Sequence, residues 1–136
     1  MSDTRSTQPT GAPAPGPFLD AERLDVYRVA LELHVAAAAL ALGGDPVLHD
    51  QLRRASLSVP LNIAEGAGQR SSAQKPWLRQ DRRRFYGVAR GSAMECAAIF
   101  DVLCLRRLAP PSECRHARSL VVRVVAMLTK LDRALA

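Results

Sequence analysis

The stretch that decides the fold is residues 52–68, LRRASLSVPLNIAEGAG, a helical pattern with a proline in its interior. Proline inside a helix removes one backbone hydrogen bond and clashes with the preceding turn, which costs ~3 kcal/mol unless the helix bends. Short polar side chains surround Pro60 and are able to bond the main-chain groups that it leaves unpaired. These side chains belong to Ser56, Ser58 and Asn62, with Arg53 or Arg54 as a further donor. We therefore predict a second helix kinked at Pro60 and give these residues a structural role.

Four helical stretches follow one another with short connections. They run from about Ala21 to Leu42, from Pro46 to Ala67, from Pro76 to Leu108, and from residues 110–113 (PPSE) to the end of the chain. The pair Asp45-Pro46 is typical of a helix start, and Gly43-Gly44 is typical of a helix end. The sequence predicts an all-α fold over residues 19–136, an up-down antiparallel four-helix bundle. Residues 1–18 are rich in proline and poor in apolar side chains, so we expect a disordered tail there.

The first predicted helix has two apolar stripes on opposite sides, and the second helix repeats this pattern. One stripe of the first helix contains Leu24, Tyr27, Leu31, Val35, Ala38 and Leu42, and the other contains Val26, Val29, Leu33, Ala37 and Leu40. A four-helix bundle has a single interior, so a second apolar face needs another partner. We predict a homo-oligomeric ring whose interface contains Val26, Val29, Leu33, Leu57, Leu61 and Ala64. The alternative is that the alanine-rich second faces remain at the surface of a monomer.

The third predicted helix contains a second unusual stretch, RFYGVARGSAMEC, at residues 84–96. Gly87 and Gly91 each reduce helix propensity by about 1 kcal/mol, and we expect them to allow a neighbouring backbone to approach closely. Ser92 and Glu95 fall inside the apolar arc of this helix. A buried Glu95 needs an arginine or amide partner, for which Arg53 and Asn62 are the candidates.

Together, LRRASLSVPLNIAEGAG and FYGVARGSAMEC resemble the small bacterial four-helix bundle family. This family includes proteins encoded in intervening sequences of large-subunit ribosomal RNA genes and the accessory variability determinant of diversity-generating retroelements. The resemblance covers residues 20–134 and implies a cytoplasmic homopentamer with a basic surface able to bind nucleic acid, and a reverse transcriptase as a possible protein partner. The motif residues in the two blocks, to which we assign structural roles, are Arg53, Pro60, Asn62, Glu65, Gly91, Ser92 and Glu95.

Several function classes lack the residues that they need. The three cysteines are too far apart for zinc-ligand spacing, and no Glu-x-x-His pair supports a carboxylate metal site. No apolar run reaches the roughly 18–20 residues of a membrane span, and the N-terminal residues do not resemble a secretory signal. We expect a non-catalytic cytoplasmic protein without metal or cofactor.

The remaining functional signal is a concentration of positive charge in residues 70–90. The chain has a net charge of +6, and this segment contains seven basic residues against Asp81 alone. On a helical wheel, Arg79, Arg83 and Arg90 lie within about 40° of one another, opposite the apolar arc. We predict a nucleic-acid-binding surface in which Tyr86 stacks on a base. Its residues are Arg70, Lys75, Arg79, Arg82, Arg83, Tyr86 and Arg90. Two alternatives remain open, a solvated helix face and an oligomeric adaptor that docks an acidic protein.

Overall fold

A computed structural model describes residues 19–40, 44–69 and 76–136 of the chain. The predicted disordered tail lies outside these residues, as do Leu42, Gly43, Arg70 and Lys75. In the described part, every regular element is a helix. A short 3-10 helix, Asp20–Arg23, precedes four α-helices. These are α1 (Asp25–Leu40), α2 (Pro46–Gly68), α3 (Pro76–Leu105) and α4 (Pro111–Leu135).

The four α-helices pack in a closed cycle in which α1 lies against α2 and α4, and α3 lies against α2 and α4. Hydrogen bonds between α3 and α4 show that these two neighbours run in opposite directions. Arg83 near the start of α3 bonds Asp132 near the end of α4, whereas Asp101 near the end of α3 bonds Arg118 near the start of α4. The predicted all-helical fold with four helices is therefore confirmed.

The helix boundaries follow local chemistry, with two differences from the sequence prediction. The Asp45 side chain caps α2 by accepting hydrogen bonds from the backbone N–H groups of Val47 (2.9 Å) and Leu48 (3.4 Å). The first helix was expected to start near Ala21, but Leu24 is extended and separates the 3-10 turn from α1.

The second difference is at the end of α3, which stops three residues before the predicted Leu108. Arg107 there adopts a left-handed conformation with φ of 57°. The N–H groups of Arg107 and Leu108 bond the carbonyls of Cys104 and Leu103, the pattern of a Schellman cap. Glycine usually occupies this position, and its absence here made the helix end invisible in the sequence.

Only one of the two apolar stripes of α1 is buried in the interior of the bundle, and it is the stripe that we assigned to the oligomer interface. Val26, Val29 and Leu33 are at most 3% exposed and pack in the interior of the bundle. Their assignment to an interface between subunits was therefore wrong. In the opposite stripe Leu31 and Val35 are exposed, whereas Leu24 and Tyr27 are half-buried against the edge of the core. Both stripes are equally apolar, so only the packing of α1 against α2 and α4 decides which one is buried.

Around Pro60, α2 is one continuous helix and Pro60 itself is buried. Two neighbouring side chains bond main-chain carbonyls one turn back. The Ser56 hydroxyl donates to the Arg53 carbonyl at 3.2 Å, and the Asn62 amide donates to the Ser58 carbonyl at 2.9 Å. These bonds satisfy polar side chains that would otherwise weaken a half-buried helix.

The contact between α2 and α3 is closest at a glycine that the sequence analysis did not single out. A Cβ placed on Gly66 would lie 2.7 and 2.9 Å from two ring carbons of Tyr86. By contrast, Gly87 and Gly91 are exposed, and a Cβ on either has no neighbour within 4 Å. The expectation that these two glycines allow a close backbone approach within the bundle was therefore wrong, because they point away from α2.

The proposed burial of Glu95 is also corrected. Glu95 is exposed beside α2, and its candidate partners are engaged elsewhere: Arg53 donates to Asp50 at 2.9 Å, and Asn62 bonds Ser58. Ser92, on the same helix, is half-buried and shares a hydrogen bond of 2.9 Å with Ser58 of α2. The polar residues inside the arc of α3 thus lie at its margin with α2.

Candidate nucleic-acid interface

The predicted basic residues on α3 divide into a row along the α3–α4 groove and residues on other sides of the helix. Arg79, Arg83 and Arg90 form the row, which we call the arginine row. Arg79 and Arg90 are exposed, and Arg83 is half-buried. Arg82 is also half-buried, and its Nε donates to the carbonyl of Gln69 at the end of α2 at 2.9 Å. Arg70 and Lys75 lie outside the described residues.

Arg83 is fixed in the groove by a carboxylate of α4. Its Nε donates to Oδ1 of Asp132 at 2.8 Å, and its Nη2 donates to Oδ2 at 3.2 Å. The hydrogen bond from Arg83 lowers the pKa of Asp132, and the positive charges of Arg83 and Arg90 lower it further. The same contact raises the pKa of Arg83. This bidentate pair orients one guanidinium and neutralises part of the charge of the row.

Arg90 is oriented by a hydroxyl group and makes no direct hydrogen bond to a carboxylate of the described residues. Its Nε donates to the Thr129 hydroxyl at 3.0 Å, and that hydroxyl donates to the carbonyl of Val125 at 2.8 Å. Arg90, Thr129 and Asp132 border a cleft of about 200 Å³ between α3 and α4. Among the described residues, neither Arg79 nor Arg90 has a carboxylate within ion-pair distance. Two cations of the row are thus available to an external anion.

Tyr86 borders the cleft beside Arg90, but almost none of its ring is open to solvent. It is 3% exposed, and its ring packs over Gly66 in the α2–α3 contact. Burial raises the pKa of the Tyr86 hydroxyl, which the charge of Arg82 lowers in part. The predicted stacking of Tyr86 on a base was therefore wrong, because the ring that lies between arginines in the sequence turns into the core.

Arg84 has different neighbours from the arginine row. Its guanidinium lies 4.6 Å from the ring centre of Phe85 and 3.8 Å from the carboxylate of Asp81. Arg84 is exposed, and helical periodicity places it about 100° around α3 from Arg83, on the solvent side and outside the α3–α4 groove. The basic residues of this segment that the structure describes therefore do not form a single patch.

A second outward surface, formed by α1 and α2, contains apolar side chains and is called here the α1–α2 apolar face. Its large residues are Leu31, Val35, Leu57 and Leu61, all exposed, with Ala64 half-buried at its edge. The two helices are joined beneath it by a hydrogen bond of 2.9 Å between His34 Nδ1 and the Ser56 hydroxyl. Leu31 lies one turn before His34 and Leu57 follows Ser56, so both point outward from the same helix pair.

Other site classes lack support in the part of the chain that the structure describes. Within those residues, no three His, Cys, Asp or Glu side chains come together in a way that could hold a metal ion. None of the helices there has the length and apolar character needed to cross a bilayer. Buried polar side-chain atoms in the described ranges all have hydrogen-bond partners.

The sequence missed the residues of α4 that complete the arginine row, Thr129 and Asp132. Each lies 39 or more positions from its partner, and no pattern within either helix reveals that pairing. Leu31 and Val35 were recognised as one apolar stripe but not as the outward one. A signal existed for Asp132, since it interrupts the basic end of α4 between Lys130 and Arg133.

The fold and the two surfaces define a small all-helical protein with an outward apolar face and a separate basic groove. Comparison with known families then identifies the chain as a member of the 23S rRNA-intervening sequence protein family, whose model matches residues 22–130. That range includes both sequence blocks from which the resemblance was first inferred, and the resemblance is confirmed. Comparison with curated proteins finds no match.

Proposed function

We propose that this protein is a non-catalytic, homo-oligomeric accessory protein of the cytoplasm that binds nucleic acid through the arginine row. The single observation that supports this most is that Arg79 and Arg90 lie on one side of α3 and have no carboxylate partner among the described residues. Membership of a family named for intervening sequences of 23S rRNA genes is consistent with an RNA ligand.

The contacts that the row offers are to phosphate groups. Guanidinium groups bind phosphate through paired N–H donors, and each contact releases counterions from the nucleic acid. Tyr86 borders the cleft beside Arg90, but its ring is only 3% exposed and offers almost no face on which a base could stack. We therefore expect affinity that falls steeply with salt and depends little on sequence.

The α1–α2 apolar face supplies the proposed contact between copies of the chain. Leu61 is 56% and Val35 68% exposed, and covering such side chains with a second copy removes apolar surface from water. The face lies on different helices from the arginine row, so assembly leaves the row accessible. A ring of subunits, five by resemblance to the family, would repeat the row and strengthen binding through multiple contacts. A reverse transcriptase is a possible further partner by the same resemblance.

One observation favours the alternative, an oligomeric adaptor without a nucleic-acid role. The bidentate bond between Arg83 and Asp132 neutralises part of the row and has a structural use, since it joins α3 to α4. In that case Arg79 and Arg90 would be solvated cations or would dock an acidic protein surface.

The test is binding of purified protein to labelled single-stranded RNA and duplex DNA over a range of salt concentrations. The test variant is Arg79→Glu/Arg90→Glu, and the matched control is Arg115→Glu/Arg123→Glu, which makes the same charge change on exposed positions of α4. Arg83 is left intact because a glutamate there would face Asp132 and disturb the fold. Light scattering confirms that all three proteins keep the same mass.

We expect wild type and the control to bind at low salt, with affinities that differ by less than about threefold. The test variant is expected to lose at least tenfold, because two guanidinium contacts per subunit become repulsive. Equal loss in both variants would mean that only net charge matters, and the arginine row would not be the site. Absence of wild-type binding at low salt would overturn the nucleic-acid function and leave the adaptor.

A further inference from the structure

The turn between α3 and α4 brings two cysteines to the same end of the bundle. Cys104 precedes the last residue of α3, and Cys114 lies in the first turn of α4. The N–H of Arg107 bonds the Cys104 carbonyl at 3.0 Å, and the N–H of Cys114 bonds the Pro110 carbonyl at 3.1 Å. Each cysteine backbone is therefore fixed by the turn that connects it to the other helix.

An ion pair one turn deeper in the bundle sets the register between the two helices. Arg118 Nε lies 3.1 Å from Oδ1 of Asp101. Cys104 follows Asp101 by three positions and Cys114 precedes Arg118 by four, which are the spacings of residues on one helix face. The two cysteines thus lie on the facing sides of α3 and α4, one turn closer to the connection.

The register set by the Asp101–Arg118 pair places the two cysteines next to each other across the α3–α4 contact. Burial raises the pKa of Cys114, and the neighbouring Cys104 thiol raises it further, as do the carboxylates of Glu113 and Asp101. Both cysteines are free in this structure. A disulfide requires the Cβ atoms of two cysteines to face each other at short range, which is the arrangement that the register of α3 and α4 favours.

The two thiols differ in access to solvent. Cys114 is 5% exposed and belongs to the core, whereas Cys104 is half-buried and borders an open cleft with Arg107 and Leu108. An oxidant in solution therefore meets Cys104 first. The buried Cys114 then lies beside the modified sulfur and can displace the group attached to it.

We propose that Cys104 and Cys114 form a reversible disulfide that joins the end of α3 to the start of α4. With oxidised glutathione as the oxidant, the Cys104 thiolate attacks one glutathione sulfur, forms a mixed disulfide and releases one glutathione thiolate. The Cys114 thiolate then attacks Cys104 Sγ and releases the second. In balance, two protein thiols and one oxidised glutathione give one protein disulfide and two reduced glutathiones.

The disulfide would constrain the helix pair that presents the arginine row, although the proposal does not depend on nucleic-acid binding. Nine residues lie between the two cysteines. A disulfide that closes this loop restricts the conformations of the unfolded chain and thereby stabilises the folded protein. We expect the thermal midpoint of the oxidised protein to rise by about 5 °C over the reduced protein.

The third cysteine provides an internal control. Cys96 is fully buried, and burial together with the charge of Glu95 raises its pKa to about 12, so it has little thiolate at neutral pH. The experiment equilibrates the full chain in buffers of increasing oxidised-to-reduced glutathione ratio. Free thiols are then alkylated under denaturing conditions, and the protein is analysed by intact mass and peptide mapping. The variants are Cys96→Ala and Cys104→Ser.

We expect wild type and Cys96→Ala each to lose two free thiols in a single step without gain of mass from glutathione, and Cys96 to remain alkylated in wild type. Cys104→Ser is expected to form no intramolecular bond. The proposal would be overturned if wild type kept all three thiols in the most oxidising buffer. Accumulation of glutathionylated protein or of covalent dimers in place of the internal bond would overturn it equally.

Discussion

The α1–α2 apolar face and the arginine row lie on different pairs of helices and differ in how each gains binding energy. The apolar face presents Leu31, Val35, Leu57 and Leu61, whose burial is favourable at any salt concentration. The arginine row presents guanidinium groups held by Asp132 and Thr129, and its attraction for anions weakens as salt screens charge. One small bundle thus offers one surface whose binding depends strongly on ionic strength and one whose binding does not, which suits the first to an anionic ligand and the second to self-association.

The largest expected effect comes from truncating one side chain of the buried stripe of α1 and comparing it with one of the exposed stripe. Leu33→Ala removes a fully buried side chain and is expected to lower the free energy of unfolding by about 2–5 kcal/mol. Val35→Ala removes a side chain that is mostly in solvent in the monomer, so its effect on the monomer is expected to stay within about 0.5 kcal/mol. Urea unfolding at a protein concentration where the chain is monomeric measures both values. Equal effects would mean that the core has been assigned to the wrong stripe.

The next largest effect compares the glycine that faces the core with one that faces solvent. Gly66→Ala places a Cβ less than 3 Å from the Tyr86 ring, and the strain is expected to outweigh the gain in helix propensity, for a net loss of about 1 kcal/mol. Gly87→Ala meets open space and is expected to stabilise the protein by about 0.5–1 kcal/mol. Thermal unfolding of the two variants should therefore shift in opposite directions. A stabilised Gly66→Ala protein would show that the α2–α3 contact is looser than described.

Much of this fold was accessible from the sequence because helix signals are local. The cap at Asp45, the start of α2 at Pro46 and the start of α3 at Pro76 were each predicted where the structure has them. The end of α3 was missed because Arg107 takes a conformation that usually requires glycine.

The site was harder to predict from the sequence because it depends on which face each helix turns toward its neighbours. Two equally apolar stripes on α1 gave no basis for choosing Leu33 over Leu31 as a core residue. Tyr86 lies between arginines in the sequence but turns inward over Gly66, which no periodicity in α3 alone indicates. Asp132 became part of the basic groove only when α3 and α4 were aligned.

A smaller effect is expected when the internal partner of the arginine row is neutralised. Asp132→Asn releases the charge of Arg83, so affinity for RNA at low salt should rise by about 2–5-fold. The matched control is Asp81→Asn, which makes the same charge change beside Arg84 on the other side of α3 and should leave affinity nearly unchanged. Fluorescence anisotropy measures both. A lower affinity for Asp132→Asn would mean that the orientation of Arg83 matters more than its net charge.

The smallest predicted effect is on stability in acid. The pKa of Asp132 is lowered in the folded protein, so its bond with Arg83 contributes stability above the ordinary aspartate pKa and loses it as pH falls through the lowered value. The difference in thermal midpoint between wild type and Asp132→Asn should therefore be constant near neutrality and shrink between about pH 5 and pH 2. Other carboxylates cancel in this difference. A difference that does not vary with pH would show that the bond is not formed in solution.

We propose that the α1–α2 apolar face, and not the stripe containing Leu33, joins copies of this chain. The most direct test is the mass by light scattering of wild type and of Leu57→Glu/Leu61→Glu, with Val122→Glu on α4 as a control at an equally exposed apolar position. We predict a multiple of 14.8 kDa for wild type and for the control, and a folded monomer of 14.8 kDa for the double variant. A monomeric wild type, or a double variant that keeps the wild-type mass, would contradict this account.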